Sequence, residues 1–126
     1  MTTTASMPNL FTRDIDAAVT FYRDRLGFGP LFQVPAEGRP EHIVLQLGSS
    51  QLALSTDRAV STIGLRYTAG NPYELIVWCD DVDASAETLR SAGVPIAVEP
   101  YDHVAGHRRC YVLDPDGNWV ALVDAG

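Results

Sequence analysis

The sequence is short of positive charge, of cysteine and of long apolar runs, and each shortage removes a class of function. Nine Arg and Lys stand against 16 Asp and Glu, for a formal charge of −7 and a pI near 4.7. Neutralising phosphates needs clustered basic side chains, so this balance speaks against nucleic acid as a partner. Apolar stretches such as LIVWC at 75–79 are far shorter than the roughly 20 residues that cross a bilayer, so no membrane-spanning helix is expected. The opening residues MTTTASM carry neither a basic segment nor a long apolar one. That argues against a secretory signal and for a cytoplasmic protein. Cys79 and Cys110 are the only cysteines, both lie in apolar strand-like runs, and neither belongs to a CxxC pair. They read as buried, reduced thiols and not as zinc ligands.

What is present is enough apolar material for a core. The 126 residues are 46% hydrophobic with a mean hydropathy of zero, which excludes a disordered polymer and fits one domain of 13.7 kDa. The most informative feature is an internal repeat. MPNLFTRDIDAAVTFYRDRLGF, from Met7 to Phe28, aligns with ELIVWCDDVDASAETLRSAGV, from Glu74 to Val94, placing Asp14-Ile15-Asp16-Ala17 on Asp81-Val82-Asp83-Ala84. One residue fewer in the second copy then brings Gly27 onto Gly93.

Each copy reads as a strand, a helix and three more strands. Residues 7–12 and 73–79 are short and apolar, as strands are. Asp14 and Asp81 stand at N-cap positions, with Asp16 and Asp83 in the first turns. Ile15, Ala18, Val19, Tyr22 and Leu26, and then Val82, Ala86 and Leu89, recur at helical spacing. Gly27 and Gly93 supply the left-handed stop. Strands follow at 29–34, 42–47 and 51–55, and again at 95–101, 108–113 and 119–123, with the DPDG turn at 114–117 before the last. The pattern predicts an α+β chain of two βαβββ modules, about 6–56 and 72–124. Residues 57–71 read as a linker with Gly64 and Gly70 as break points, and Asp57, Arg58 and Arg66 as its surface charges. Each sheet is expected to be covered by its own helix on one face and to curve towards its twin on the other, so that the two sheets form a cleft.

The runs DIDAAVTFYRDRLGF, EPYDHVAGHR and DPDGNWVAL, within a likeness extending from about Met7 to Val123, resemble the vicinal oxygen chelate superfamily. That group includes glyoxalase I, the extradiol dioxygenases and the bleomycin resistance proteins. The resemblance implies a divalent metal in the cleft, held by His or Glu at four positions on the first and last strands of each copy. Matched motif by motif, those positions here are Met7, Ala53, Glu74 and Ala121. Alanine donates nothing, and a thioether is too soft for Mg, Mn or Fe(II). Glu74 alone makes no site, so no metal and no cofactor is expected. His103 and His107, taken with Glu74, have the inventory of a relocated two-histidine, one-carboxylate site. A surface or lid role suits them better, since their Gly-containing loop fixes no geometry.

Strand alternation gives the side chains that face the cleft. If Met7 does, so do Asn9 and Phe11, while Leu10 packs beneath the helix. Gln51, Ala53 and Ser55, then Glu74, Ile76 and Trp78, then Trp119, Ala121 and Val123 follow by the same logic. Tyr101, His103 and His107 border the site from the loop. Trp and Met on a strand are more often ordinary core than pocket lining, and the concave cleft that the resemblance implies brings the two readings level. A carboxylate in an apolar strand needs a partner. For Glu74 that is a ligand cation, a ligand hydrogen bond, or an arginine such as Arg108 or Arg109, unless the strand end is simply wet. No nucleophile with a recognisable base emerges from Ser49, Ser50, Ser55 or the cysteines. The expected function is metal-independent binding of an aromatic or amphipathic natural product, with a cation permitted by the acidic balance. The alternative is a lyase or dioxygenase with a relocated or incomplete metal site. The resemblance also implies a homodimer.

Overall fold

Each helix of the repeat begins where an aspartate can cap it. The Asp14 carboxylate accepts the Ala17 N–H at 3.0 Å, and Asp81 accepts that of Ala84 at 3.0 Å. Gly27 and Gly93 then adopt φ of 88° and 83°, the left-handed backbone that ends each helix. These features flank the same strand arrangement twice in the computed structural model, which describes residues 1–103 and 106–125.

The chain divides into two units, Met1–Thr68 and Ala69–Gly126. The first holds β1 (Asn9–Thr12), α1 (Ile15–Val19) with a π-helical continuation at Thr20–Arg25, β2 (Gly29–Val34), β3 (His42–Leu47), β4 (Ser50–Thr56) and α2 (Asp57–Thr62). Its sheet runs β1-β4-β3-β2, with β1 parallel to β4 and the other neighbours antiparallel. The second unit holds β5 (Leu75–Trp78), α3 (Val82–Ser91), β6 (Ile96–Asp102), β7 (Arg108–Leu113) and β8 (Trp119–Asp124). Its order, β5-β8-β7-β6, repeats the pattern, including the parallel outer pair. The α+β class and the two βαβββ arrangements are as the repeat predicts.

In each unit the period of two sends one set of side chains beneath the helix. Leu10, Ile43, Leu45, Leu52 and Leu54 are buried with Ile15, Ala18 and Tyr22 in the first unit. Val77, Cys110, Val112, Val120 and Leu122 are buried with Val82, Ala86 and Leu89 in the second. Each fully buried Leu or Val contributes about 2 kcal/mol. Tyr22 meets Phe21 and Phe28 edge-on, at 4.9 and 6.0 Å between ring centroids. Asp124, on β8, accepts the buried Val82 N–H at 2.7 Å and so ties the start of α3 to the last strand.

Two elements differ from expectation. The first helix is one residue longer than the second, and that residue is absorbed as a π-helical turn, where the Leu26 N–H reaches the Phe21 carbonyl at 3.2 Å. Within the stretch read as a linker, Asp57–Thr62 form a short helix. The Thr56 hydroxyl accepts the Ala59 N–H at 3.0 Å as its cap, and Val60 is buried. Asp57 is thus a first-turn residue, and Arg58 pairs with Glu41. Among the described residues, no helix is long and apolar enough to cross a membrane.

Both cysteines are free, with Cys110 buried as expected but Cys79 only partly so, because it lies just beyond β5. Burial pushes the Cys110 thiol up to about 11 and raises that of Cys79 as well. Only the thiolate reacts, so native protein at pH 8 is expected to alkylate slowly at Cys79 and not at Cys110. Iodoacetamide labelling read by mass spectrometry checks this, with both sites modified in denaturant. Rapid native labelling of Cys110 would contradict the burial argument.

Candidate ligand-binding site

In the second unit, register sets which side chains share the sheet face opposite α3. Ile76 lies opposite Ala121 and Trp78 opposite Val123 on the parallel pair β5 and β8. On β7, Arg109 lies opposite Val123 and Tyr111 opposite Ala121. On β6, Tyr101 lies opposite Arg109 and Val98 opposite Tyr111. Ala121 and Val123 are fully buried, whereas Trp78 is 63% and Trp119 44% exposed. Large rings therefore stand out from a base of small ones. Beside Trp119 is a depression of about 310 Å³, lined also by Glu74, Ala97, Val98 and Tyr111.

Glu74 sits immediately before β5, not within it. Its Oε1 is 3.5 Å from Nη1 of Arg109, and the two side chains are 29% and 16% exposed. The same nitrogen donates to the Tyr111 hydroxyl at 3.3 Å. The Tyr111 bond, with help from the Tyr111 and Glu74 charges, holds the Arg109 guanidinium above its ordinary pKa. Burial pushes the Tyr111 phenol up, Arg109 works against this, and the Glu74 carboxylate adds to it. Of the two arginines considered as partners for Glu74, Arg109 is the one in place. Arg108 instead reaches Asp83 at 2.7 Å and Asp102 at 3.0 Å, joining α3 to β6.

The loop after β6 brings two of the anticipated histidines to this unit. The His107 Nδ1 lies 3.2 Å from the Asp124 carbonyl, which can only accept, so that nitrogen carries the proton. The His107 ring meets Trp78 edge-on at 5.5 Å. His103 Nδ1 is 3.2 Å from the Tyr101 hydroxyl, and the His103 backbone N–H donates to the His107 carbonyl at 2.7 Å. Val104 and Ala105 of the DHVAGH run lie outside the described residues.

In the first unit, Asn9 and Phe11 lie opposite Ala53 and Ser55. Leu10 is buried beneath the helix, as alternation requires. Met7 precedes β1 and is 40% exposed, so it is no strand residue. Gln51 is exposed, and Ala53 and Ser55 are buried. The Ser55 hydroxyl donates to the Asn9 Oδ1 at 3.0 Å, and His42 Nδ1 lies 2.8 Å from the Ser55 Oγ.

A sequence model of the Glyoxalase/Bleomycin resistance protein/Dioxygenase superfamily matches residues 4–122. The chain belongs to this superfamily. Solved structures agree with its fold. A glyoxalase/bleomycin resistance protein/dioxygenase family enzyme from Burkholderia phytofirmans is 25% identical, with a TM-score of 0.82 over 96% of this chain and 98% of that one. Lactoylglutathione lyase from Agrobacterium tumefaciens is 24% identical, with a TM-score of 0.73 over 97% and 94%. TioX from Micromonospora is 26% identical, with a TM-score of 0.74 over 97% and 100%. No curated protein matches the sequence significantly.

The four positions that the superfamily resemblance pointed to do not fit a divalent metal. Ala53 and Ala121 are fully buried and carry no donor, Met7 offers only a thioether, and Glu74 is engaged by Arg109. Nor does the relocated set come together. Among the described residues, no three of His, Cys, Asp and Glu gather within reach of one ion. Tyr111, Val98 and Ala97 beside Glu74, and His42 beside Ser55, were not among the side chains picked out by alternation. The signal for Tyr111 and His42 was the pairing of β7 and β3 with the strands that were.

Proposed function

We propose that this superfamily member is a metal-independent binding protein that sequesters a neutral aromatic or amphipathic natural product. The observation that carries the reading is the exposure of Trp78 and Trp119 on the sheet face that holds Glu74, Arg109 and Tyr111. Trp119 lies four residues before the partner of Trp78 on β8. At about 3.3 Å per residue the two rings stand at the ends of a strip roughly 13 Å long. That length suits a ligand of several fused or linked rings, stacked at one end by Trp119 and flanked at the other by Trp78 and His107. Because Arg109 already balances Glu74, the site favours a neutral ligand over a cation. The pair would orient polar substituents instead of matching a charge.

The two tryptophans are the only ones in the chain, so selectively excited tryptophan fluorescence reports on this face alone. Titration with a panel of aromatic antibiotics in the presence of a chelator is expected to give saturable quenching by at least one of them. No saturable quenching by any, or a stoichiometric metal surviving dialysis of untagged protein, would overturn the reading. A homodimer is the expected binding form, which sedimentation equilibrium on the same samples tests.

A further inference from the structure

We propose that, on the sheet face of the first unit, Asn9 and Ser55 hold the His42 imidazole as an acceptor for the O–H or N–H of an aromatic ligand. The argument begins with one proton. The Ser55 hydroxyl has a single hydrogen, and it is directed at the Asn9 Oδ1, 3.0 Å away. Ser55 can then only accept from His42, whose Nδ1 lies 2.8 Å from its oxygen. The chain Asn9, Ser55, His42 therefore fixes the proton of the neutral ring on Nδ1. It leaves the lone pair on Nε2, which has no hydrogen bond to any described residue. A histidine tautomer is set by the bond its other nitrogen makes, and two side chains from two different strands set this one.

The surroundings supply the rest of a subsite. The Phe32 ring, 55% exposed, is tilted at 52° to the His42 ring with centroids 6.4 Å apart. Phe11 lies opposite Ser55 on β1, and fully buried Ala53 lies opposite Val44 on the sheet. An aromatic ring resting near Phe32 would direct a phenolic O–H to Nε2. Among the described residues, no arginine or carboxylate is bonded to His42 or Ser55, so recognition here is by a hydrogen bond and ring contact, unlike the ion-paired site of the second unit. The inference rests on unit one alone and stands whether or not the tryptophan face binds.

The test uses the full chain labelled with nitrogen-15 and phenol as the probe, at pH 8, read by long-range proton–nitrogen correlation of the histidine rings. His42 is expected as the Nδ1–H tautomer, and phenol is expected to move its Nε2 resonance saturably. Asn9→Leu removes the acceptor and frees Ser55 to donate to Nδ1. His42 should then switch to Nε2–H, and its phenol affinity should fall at least about tenfold. Asn9→Asp, which keeps an acceptor, should preserve tautomer and binding. Asn9 is exposed, so these variants are expected to fold. An Nε2–H tautomer in the wild type, a phenol response confined to the tryptophans, or one undiminished in Asn9→Leu would each overturn the proposal. Tryptophan quenching without a His42 response would leave the second-unit reading standing and remove this one.

Discussion

Replacing Trp78 and Trp119 together by alanine is expected to lower affinity for the aromatic ligand by about a hundredfold with only a modest loss of stability. A buried ring contact is worth about 0.5–1.5 kcal/mol beyond the area it covers, and the area adds a similar amount, so two rings together supply about 2–6 kcal/mol, a range that includes the roughly 2.7 kcal/mol of a hundredfold change. The free protein loses less than the complex, because Trp78 is largely in solvent and Trp119 is about half exposed. Its Tm should fall by about 5 °C. Trp119→Ala alone should cost more than Trp78→Ala, since Trp119 lines the depression beside Glu74. The double variant has no tryptophan, so calorimetry or equilibrium dialysis must replace fluorescence. Retained affinity in the double variant would eliminate the strip as the binding surface.

The second large effect lies in the turn that delivers Trp119. Asp114 is buried, and its Oδ1 accepts the N–H groups of Asp116 at 2.9 Å and Asn118 at 2.8 Å. Its Oδ2 accepts from the Asn118 side chain at 2.8 Å. Hydrogen bonds to a charged acceptor are worth about 1.5–3 kcal/mol each and do not add fully. Asp114→Ala is therefore expected to cost about 3 kcal/mol, which lowers Tm by roughly 10 °C in a chain of this size. Asp114→Asn should lose about half as much, because one side-chain oxygen remains to accept. Ligand affinity should fall as well, although Asp114 does not line the depression, because the turn sets where β8 begins. Urea melts of the two variants measure the first effect, and a loss below about 0.5 kcal/mol for Asp114→Ala would refute it.

These two regions show what the sequence could and could not reveal. Asp14, Asp81, Gly27 and Gly93 were legible because caps and left-handed stops are decided by a few neighbouring atoms. The repeat then gave the succession of strand, helix and three strands, though not the order in which the strands pair. The π-helical turn was half visible, since the additional residue of the first copy could be counted but not the hydrogen bonds that absorb it. The helix at Asp57–Thr62 spans fewer than two turns, too short for a helical period to declare itself. At the site, the burial cost of Glu74 announced that it needed a partner. Choosing Arg109 over its neighbour Arg108 depended on strand parity, and RRCYVL at 108–113 does not alternate cleanly. The adjacent β6 also shifts register twice against β7, so parity could not be counted across from the far side. Tyr111 stayed hidden for the same reason. Met7 was misplaced because the strand begins two residues later than its apolar run suggests.

The parallel pairing of β5 with β8 has a further consequence, for motion. β5 has four residues and lies at the outer edge of its sheet, held by β8 alone. A strand so short and bonded on one side is the part of a sheet that opens first and most often. Trp78 is on that strand and Trp119 on its neighbour, so anything spanning both rings also clasps the seam between them. Occupancy of the strip would then be felt along the backbone as slower opening of β5.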